Sequence, residues 1–109
     1  MPKRITAKNL CNSLDGLQGG IATFEEGLSE FLLSVGYPHH YEEIESARPE
    51  LVRLGLYDFV KNAILESEAL VRAGRYREAE MLVLQANRRL SEESGASDDL
   101  RRRYKAAND

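Results

Sequence analysis

The sharpest structural signal of the chain lies in residues 72–80, which read Arg-Ala-Gly-Arg-Tyr-Arg-Glu-Ala-Glu. A run with helical periodicity ends at Gly74, and a second helical run starts at once. Glycine adopts the left-handed conformation past a helix end without a steric penalty. We therefore predict that Gly74 has a positive φ and forms a tight turn between two antiparallel helices.

The segments on both sides of this turn carry apolar faces with a helical period. Ala79 and Ala86 share one face of the second helix, where small side chains let two helices approach closely. We predict that both alanines are buried where the helices cross. Asp58 is predicted to cap the first helix. The two stripes are Val60, Ala63, Ile64, Ser67, Leu70 and Val71, then Tyr76, Ala79, Val83, Ala86 and Leu90.

Residues 57–92 resemble a tetratricopeptide repeat. The segment departs from the repeat pattern at Ala63, Glu66 and Ser91, where the family has a large aromatic residue, a leucine and a proline. The resemblance implies a helical hairpin that binds proteins, and it implies no catalytic residue. The matching positions are Ala69, Gly74, Tyr76, Glu78, Ala79 and Ala86.

The rest of the chain also reads as helical, so the predicted fold is all-α. A short helix with a Gly-rich turn at Gly19-Gly20 occupies residues 1–22. A first hairpin is predicted over residues 23–54. It starts at a capping box of Thr23 and Glu26 and is interrupted at Gly36 and Pro38. Pro49 kinks the hairpin's second helix or begins a new one, and Gly55 closes it. The tetratricopeptide-like hairpin follows at 57–93, and a short capping helix at 97–107 completes a single domain spanning 1–109.

Composition limits the classes of function. The chain has 109 residues and a net charge of −3, which suits one domain and is a poor match for a generic nucleic-acid binder. No apolar run approaches the roughly 20 residues that span a bilayer, and the first residues lack a signal-peptide core, so we expect a cytoplasmic protein. Cys11 is the only cysteine, which excludes an internal disulfide and a cysteine-based zinc site.

Two features suggest metal binding or acid–base catalysis, but their spacing does not support either. His39 and His40 are adjacent, so on a helix they project about 100° apart and do not form the one-face pair of a metal site. Glu42, Glu43 and Glu45 are interpreted as a solvated helix face. We therefore predict no catalytic residue, no metal and no cofactor.

The candidate binding residues lie on the second helix of the 57–93 hairpin. Met81 and Leu84 extend the apolar surface beyond the stripe that the hairpin needs, and Arg77 and Arg88 flank them. Such a surface suits an amphipathic helix of a partner protein, since methionine adapts to irregular ligands. The alternative is that this pair packs against the N-terminal hairpin or the last helix. In that case the binding surface lies on helix 58–73, around Asn62, Glu66 and Ala69.

A more specific resemblance is to the tetratricopeptide-like chaperones of type III secretion needle subunits. It rests on His40, Glu42-Glu43, Leu54-Gly55 and the stretch Gly74 to Ala79. The resemblance implies a cytosolic chaperone whose hairpin groove holds the amphipathic helix of a needle subunit, together with a second small co-chaperone.

A different class of function is open at this stage. Residues 70–93 also resemble ribbon-helix-helix antitoxins, in which Val52 to Leu56 would form the strand that contacts DNA. That strand would offer only Arg53 to the groove, and some fifty residues precede it with their own helical pattern. The conformation of this short segment separates the two hypotheses.

Overall fold

The computed structural model describes residues 6–23 and 29–95, and these residues form helices without any strand. The prediction of an all-α fold is confirmed for this part of the chain. The predicted capping helix at 97–107 lies outside the described residues. The elements are α1 (Ala7–Thr23), α2 (Ser29–Phe31), a π-helical segment (Leu32–Gly36), α3 (Tyr37–Ser46), α4 (Arg48–Arg53), α5 (Tyr57–Arg72) and α6 (Tyr76–Ser94).

The turn between α5 and α6 forms as the sequence predicts. Gly74 has a φ of 76°, and its N–H donates to the carbonyl of Val71 at 3.0 Å. The N–H of Arg75 donates to the carbonyl of Leu70 at 2.8 Å, which completes a Schellman motif. Three residues therefore reverse the chain, and α5 and α6 pack against each other in antiparallel directions.

A second Schellman motif joins α4 to α5. Gly55 has a φ of 72°, and the N–H of Leu56 donates to the carbonyl of Leu51 at 2.9 Å. Leu56 is then the residue that precedes α5, and no side chain caps this helix. The prediction that Asp58 caps α5 is wrong, because the turn already fixes the start of the helix at Tyr57 and places Asp58 in its first turn.

Helix α6 lies between α1 and α5 and contributes to both contacts. Ala79 and Ala86 are fully buried, which confirms the burial that the sequence predicts for them. Helix α1 runs antiparallel to α6, since Gln18 Nε2 donates to Glu80 Oε1 at 2.8 Å and Asn87 Nδ2 donates to Asp15 Oδ1 at 2.5 Å. The core therefore sits around α6.

The predicted interruption at Gly19-Gly20 is wrong, because α1 continues through both residues to Thr23. Glycine in a helix costs about 1 kcal/mol relative to alanine. Burial of one leucine or isoleucine contributes about 1.5–3 kcal/mol, and Leu14, Leu17 and Ile21 are all buried on one face of α1. The packing of this face outweighs the two glycines.

The predicted break at Gly36 and Pro38 is also wrong. Gly36 and Tyr37 both have right-handed helical dihedral angles, and the N–H of Tyr37 donates to the carbonyl of Leu32, five residues earlier. Proline has no N–H to donate, and its ring collides with the carbonyl four residues before it in a regular α-helix. The wider π turn removes this conflict, and the chain continues into α3 without reversing.

The predicted hairpin over 23–54 is therefore not formed by the described residues. Its two arms merge into one helical run over 29–46, and Thr23 ends α1. Residues 24–28, including Glu26 of the predicted capping box, lie outside the described residues. Pro49 lies in the first turn of α4, so of the two predicted outcomes, a kink or a new helix, the second is formed.

The strand required by the ribbon-helix-helix alternative is not formed. Val52 and Arg53 are the last residues of α4, and Leu54 and Gly55 belong to the turn that follows. That alternative thus loses the element on which it depended. None of the helices in the described ranges is long and apolar enough to cross a bilayer.

Candidate binding surface on the α5 and α6 pair

Two of the faces of α5 are occupied by contacts inside the protein. Val60, Ile64, Ser67 and Val71 are buried in the core. A second edge is bonded to α3, where Tyr41 Oη donates to Glu68 Oε1 at 2.6 Å. The remaining surface of α5 opens to solvent; one part of it carries the half-exposed ring of Phe59, and another part carries the exposed Leu65.

This open face and α6 enclose a shallow depression of about 240 Å³, which we call the α5–α6 groove. Its lining is largely apolar, with three polar side chains around it. A cavity of about 150 Å³ accommodates a benzene ring, and sites for drug-sized ligands have volumes of about 300–1,000 Å³. The groove therefore has room for one or two side chains of a partner. It is lined by Phe59, Asn62, Ala63, Glu66, Leu82 and Gln85.

The aromatic ring at one end of the groove is held by a cation–π contact. Phe59 is 40% exposed, and the guanidinium carbon of Arg89 lies 5.1 Å from its ring centroid. This contact joins the N-terminal part of α5 to the C-terminal part of α6 and restricts the ring. A restricted aromatic side chain provides apolar contact area at a low entropic cost when it binds.

The predicted binding residues fall into two sets. Asn62 and Glu66 line the groove. Met81 is 48% exposed and Leu84 is half-buried, with Arg77 and Arg88 exposed beside them, but these four are not part of the groove lining. The stripe of Met81 and Leu84 is therefore not internal core, and the structure does not bring it together with Asn62 and Glu66.

Four groove residues are not among the binding residues that the sequence predicts: Phe59, Ala63, Leu82 and Gln85. The sequence pattern places Ala63 in the seam between the helices, although it is only partly buried, and indicates no binding role for the other three. A signal existed in the spacing of Phe59, Asn62 and Glu66, which recur at helical intervals on a face roughly 110–170° from the core stripe of α5. That spacing cannot reveal which face of a helix is covered, so it could not identify the groove.

A polar cluster links α1 to α3. Ser13 Oγ donates to Glu43 Oε1 at 2.5 Å, and His40 Nδ1 lies 3.1 Å from the same oxygen. His40 and Glu43 are each 9% exposed. The prediction that Glu43 belongs to a solvated face is wrong, because α3 turns this residue toward Ser13 of α1, while Glu42 and Glu45 remain exposed.

The geometry of this cluster does not match that of a nucleophilic triad. Ser13 Oγ lies 3.2 Å from His40 Nδ1, so the hydroxyl and the carboxylate meet the same ring nitrogen. A histidine that activates a serine uses one nitrogen for the serine and the other for the carboxylate. Burial lowers the pKa of His40, and the neighbouring Glu43 opposes part of that shift. The cluster therefore acts as a structural link between two helices.

Hydrogen bonds also attach α3 to α5. The hydroxyl of the fully buried Tyr37 lies 2.9 Å from Ser67 Oγ, and Ser67 donates to the carbonyl of Ile64 at 2.7 Å. Burial raises the pKa of Tyr37 to about 12. Glu45 accepts hydrogen bonds from Tyr57 and Lys61, which lie on the same side of α5. This side of α5 is therefore occupied by contacts with α3, whereas the side that faces the groove is open.

Among the described residues, no group of three or more histidine, cysteine, aspartate and glutamate side chains is arranged to hold a metal ion. Comparison of the chain with protein-family models, with curated proteins and with solved structures finds no match.

Proposed function

We propose that this protein is a non-enzymatic binding module that holds a helix of a partner protein in the α5–α6 groove. The observation that carries the proposal is the half-exposed, restricted ring of Phe59 above a partly apolar floor, on the face of α5 left open by α3 and the core. Aromatic residues in such positions are frequent hot spots of protein interfaces.

The shape and lining of the groove favour a helical ligand. Two antiparallel helices leave a trough between them, and an amphipathic helix fills such a trough with apolar side chains spaced by three or four residues. Ala63 and Leu82 offer apolar contacts to these anchors. Asn62, Glu66 and Gln85 offer hydrogen bonds to the polar side of the ligand.

The finer proposal is a cytosolic chaperone that shields the amphipathic helix of a type III secretion needle subunit, with a second small co-chaperone. It is supported by the resemblance to tetratricopeptide-like needle-subunit chaperones at His40, Glu42-Glu43, Leu54-Gly55 and residues 74–79. The apolar lining of the groove would keep such a helix from aggregating before it is used.

The test compares two positions on α5 that are similarly exposed. Phe59 is 40% exposed and lines the groove, whereas Leu65 is 45% exposed and lies outside it. Photoreactive p-benzoylphenylalanine is placed at either position in the full chain, and adducts formed in the source cell are sequenced. We expect position 59 to cross-link to an amphipathic helical segment, and position 65 to give no adduct with that segment.

The affinity of the identified segment, made as a synthetic peptide, is then measured by calorimetry. Phe59→Ser should lower its affinity by at least about 30-fold, as expected for an interface hot spot, and Leu65→Ser should leave it unchanged. Equal effects of the two substitutions would rule out the groove as the binding site. Circular dichroism melts of both variants control for folding.

A further inference from the structure

A second surface of α6 is distinct from the groove. Arg77, Met81, Leu84 and Arg88 are spaced by four, three and four residues, so they form one continuous line along the helix, which we call the α6 stripe. Met81 and Leu84 each precede a groove residue, Leu82 and Gln85, by one position. Since successive residues of a helix project about 100° apart, the stripe and the groove face in different directions.

The apolar centre of the stripe lacks full cover. Met81 is 48% exposed in the middle of a 19-residue helix, and Leu84 beside it is only half-buried. The chain already supplies α6 with a fully buried face at Val83 and Leu90. The additional apolar pair is therefore not needed to attach α6 to its neighbours.

The charges at the two ends of the stripe differ from those of the neighbouring arginines. Other arginines of α5 and α6 have partners inside the chain: Arg72 lies 3.0 Å from Glu68, and Arg89 lies over Phe59. Arg75, in the turn before α6, lies 2.6 Å from Glu78. Arg77 and Arg88 are exposed and form no ion pair with any residue in the described part of the chain. Acidic residues outnumber basic ones by 18 to 15 in the sequence, so carboxylates were available to pair them.

We infer that the α6 stripe is a second docking surface and that its occupant is an acidic amphipathic helix of a partner protein. The apolar residues of that helix cover Met81 and Leu84, and its carboxylates pair with Arg77 and Arg88. The two arginines are eleven residues apart, which is about 16 Å along the helix axis, so the carboxylates lie about three turns apart. The inference does not depend on the groove.

Charge and symmetry argue against two other occupants. A two-fold contact with a second copy of this chain would place identical stripes face to face, so arginines would meet arginines. A nucleic acid would pair with the arginines through phosphates but would leave Met81 and Leu84 without apolar contacts, and a chain of net charge −3 repels a polyanion. An acidic helix satisfies both the charged and the apolar residues.

The experiment uses the full chain with p-benzoylphenylalanine at position 81. Adducts formed in the source cell are sequenced, and the cross-linked segment is made as a synthetic peptide. We expect an amphipathic helical segment with carboxylates about three turns apart. An adduct with nucleic acid, with a second copy of this chain or with a segment lacking such carboxylates would overturn the inference, and so would the absence of any adduct.

Charge reversal then tests the role of the arginines. Arg77→Glu with Arg88→Glu should weaken binding of the peptide by at least about 10-fold and reduce the salt dependence of its affinity. The matched control uses single variants: Arg53, like Arg88, is exposed and forms no ion pair with any described residue. Arg88→Glu should weaken binding of the peptide, whereas Arg53→Glu, which changes the net charge equally outside the stripe, should leave affinity within about two-fold of the unchanged chain. Equal losses in Arg53→Glu and Arg88→Glu would contradict the inference.

Two further variants separate this surface from the groove and from effects on folding. Phe59→Ser should not alter binding of the peptide captured at position 81, whereas a parallel loss would assign both adducts to one site. If the glutamate variant melts without cooperativity, Arg77→Gln with Arg88→Gln replaces it, and an unchanged affinity in that variant would overturn the inference.

Discussion

At the residue scale, Gly74 and Gly16 differ in backbone conformation, and only one of the two conformations favours glycine. A Cβ atom added to either would meet nothing within 4 Å, so neither position needs glycine for space. Gly74 has a φ of 76°, in the left-handed region, whereas Gly16 lies inside α1 without a positive φ. Only Gly74 is required by the conformation of the chain.

The same substitution at these two glycines should therefore change stability in opposite directions. Gly74→Ala should lower the free energy of unfolding by about 1–2 kcal/mol, because an alanine there is strained in the left-handed region. Gly16→Ala should raise it by about 0.5–1 kcal/mol, since alanine favours the helix. Urea denaturation followed by circular dichroism measures both. If Gly74→Ala proves neutral, the turn does not have the conformation described.

A single residue, His40, also makes the stability of the protein depend on pH. Burial lowers the pKa of His40 in the folded protein below its unfolded value of about 6.5. The unfolded chain therefore binds a proton more readily than the folded chain. The resulting stabilisation is complete above about pH 6.5 and is lost as the pH falls through the lower, folded pKa.

We accordingly expect the urea midpoint to decrease between pH 7.5 and pH 5. His40→Gln should make this decrease shallower, because glutamine does not titrate yet can still donate to Glu43. His39→Gln is the comparison, since the His39 side chain is 66% exposed, although its Nε2 also lies 3.6 Å from Glu43 Oε1. The same shallower slope in both variants would refute the assignment to His40.

At the element scale, glycines form the turns between helices and alanines occupy buried positions between them. Burial of apolar side chains keeps the helices uninterrupted. Schellman motifs at Gly55 and Gly74 end α4 and α5, and Ala79 and Ala86 sit fully buried on α6. The π-helical segment before Pro38 shows how a residue that usually ends a helix is accommodated inside one. The glycine turns thus decide where α4 and α5 end, whereas packing against neighbouring helices decides whether a helix continues through a residue that disfavours it.

The complete burial of Ala86 leads to a prediction about packing. Ala86→Leu should destabilise the protein by about 1–3 kcal/mol, because the larger side chain has no space at a fully buried position. Ala69→Leu, at an exposed position of α5, should change stability by no more than about 0.5 kcal/mol. Thermal melts of the two variants provide the comparison, and equal melting temperatures would mean that α6 is rotated from the orientation described.

At the scale of the whole molecule, the arrangement of helices decides which surfaces remain open. Helix α1 covers one side of α6, α5 covers another, and α3 is bonded to the far edge of α5. These contacts leave the α5–α6 groove and the α6 stripe facing outward. The Ser13, His40 and Glu43 cluster supports this arrangement by tying α1 to α3, so it positions the surfaces without forming part of them.

The sequence alone determined the features that depend on local conformation. The helix end at Gly55, the left-handed turn at Gly74 and the buried face of Ala79 and Ala86 follow from backbone sterics and helical period. These effects act within a few residues, so the amino acids on both sides contain all the necessary information.

Only the tertiary structure decided the features that depend on distant surfaces. The continuation of α1 through Gly19-Gly20 requires the burial of Leu14 and Leu17, and the burial of Glu43 requires Ser13 of another helix. The groove at Phe59 exists because α3 and the core cover other faces of α5. Local propensities differ by about 1 kcal/mol, whereas burial of a helix face contributes several times more, so packing decided these features and the local pattern could not.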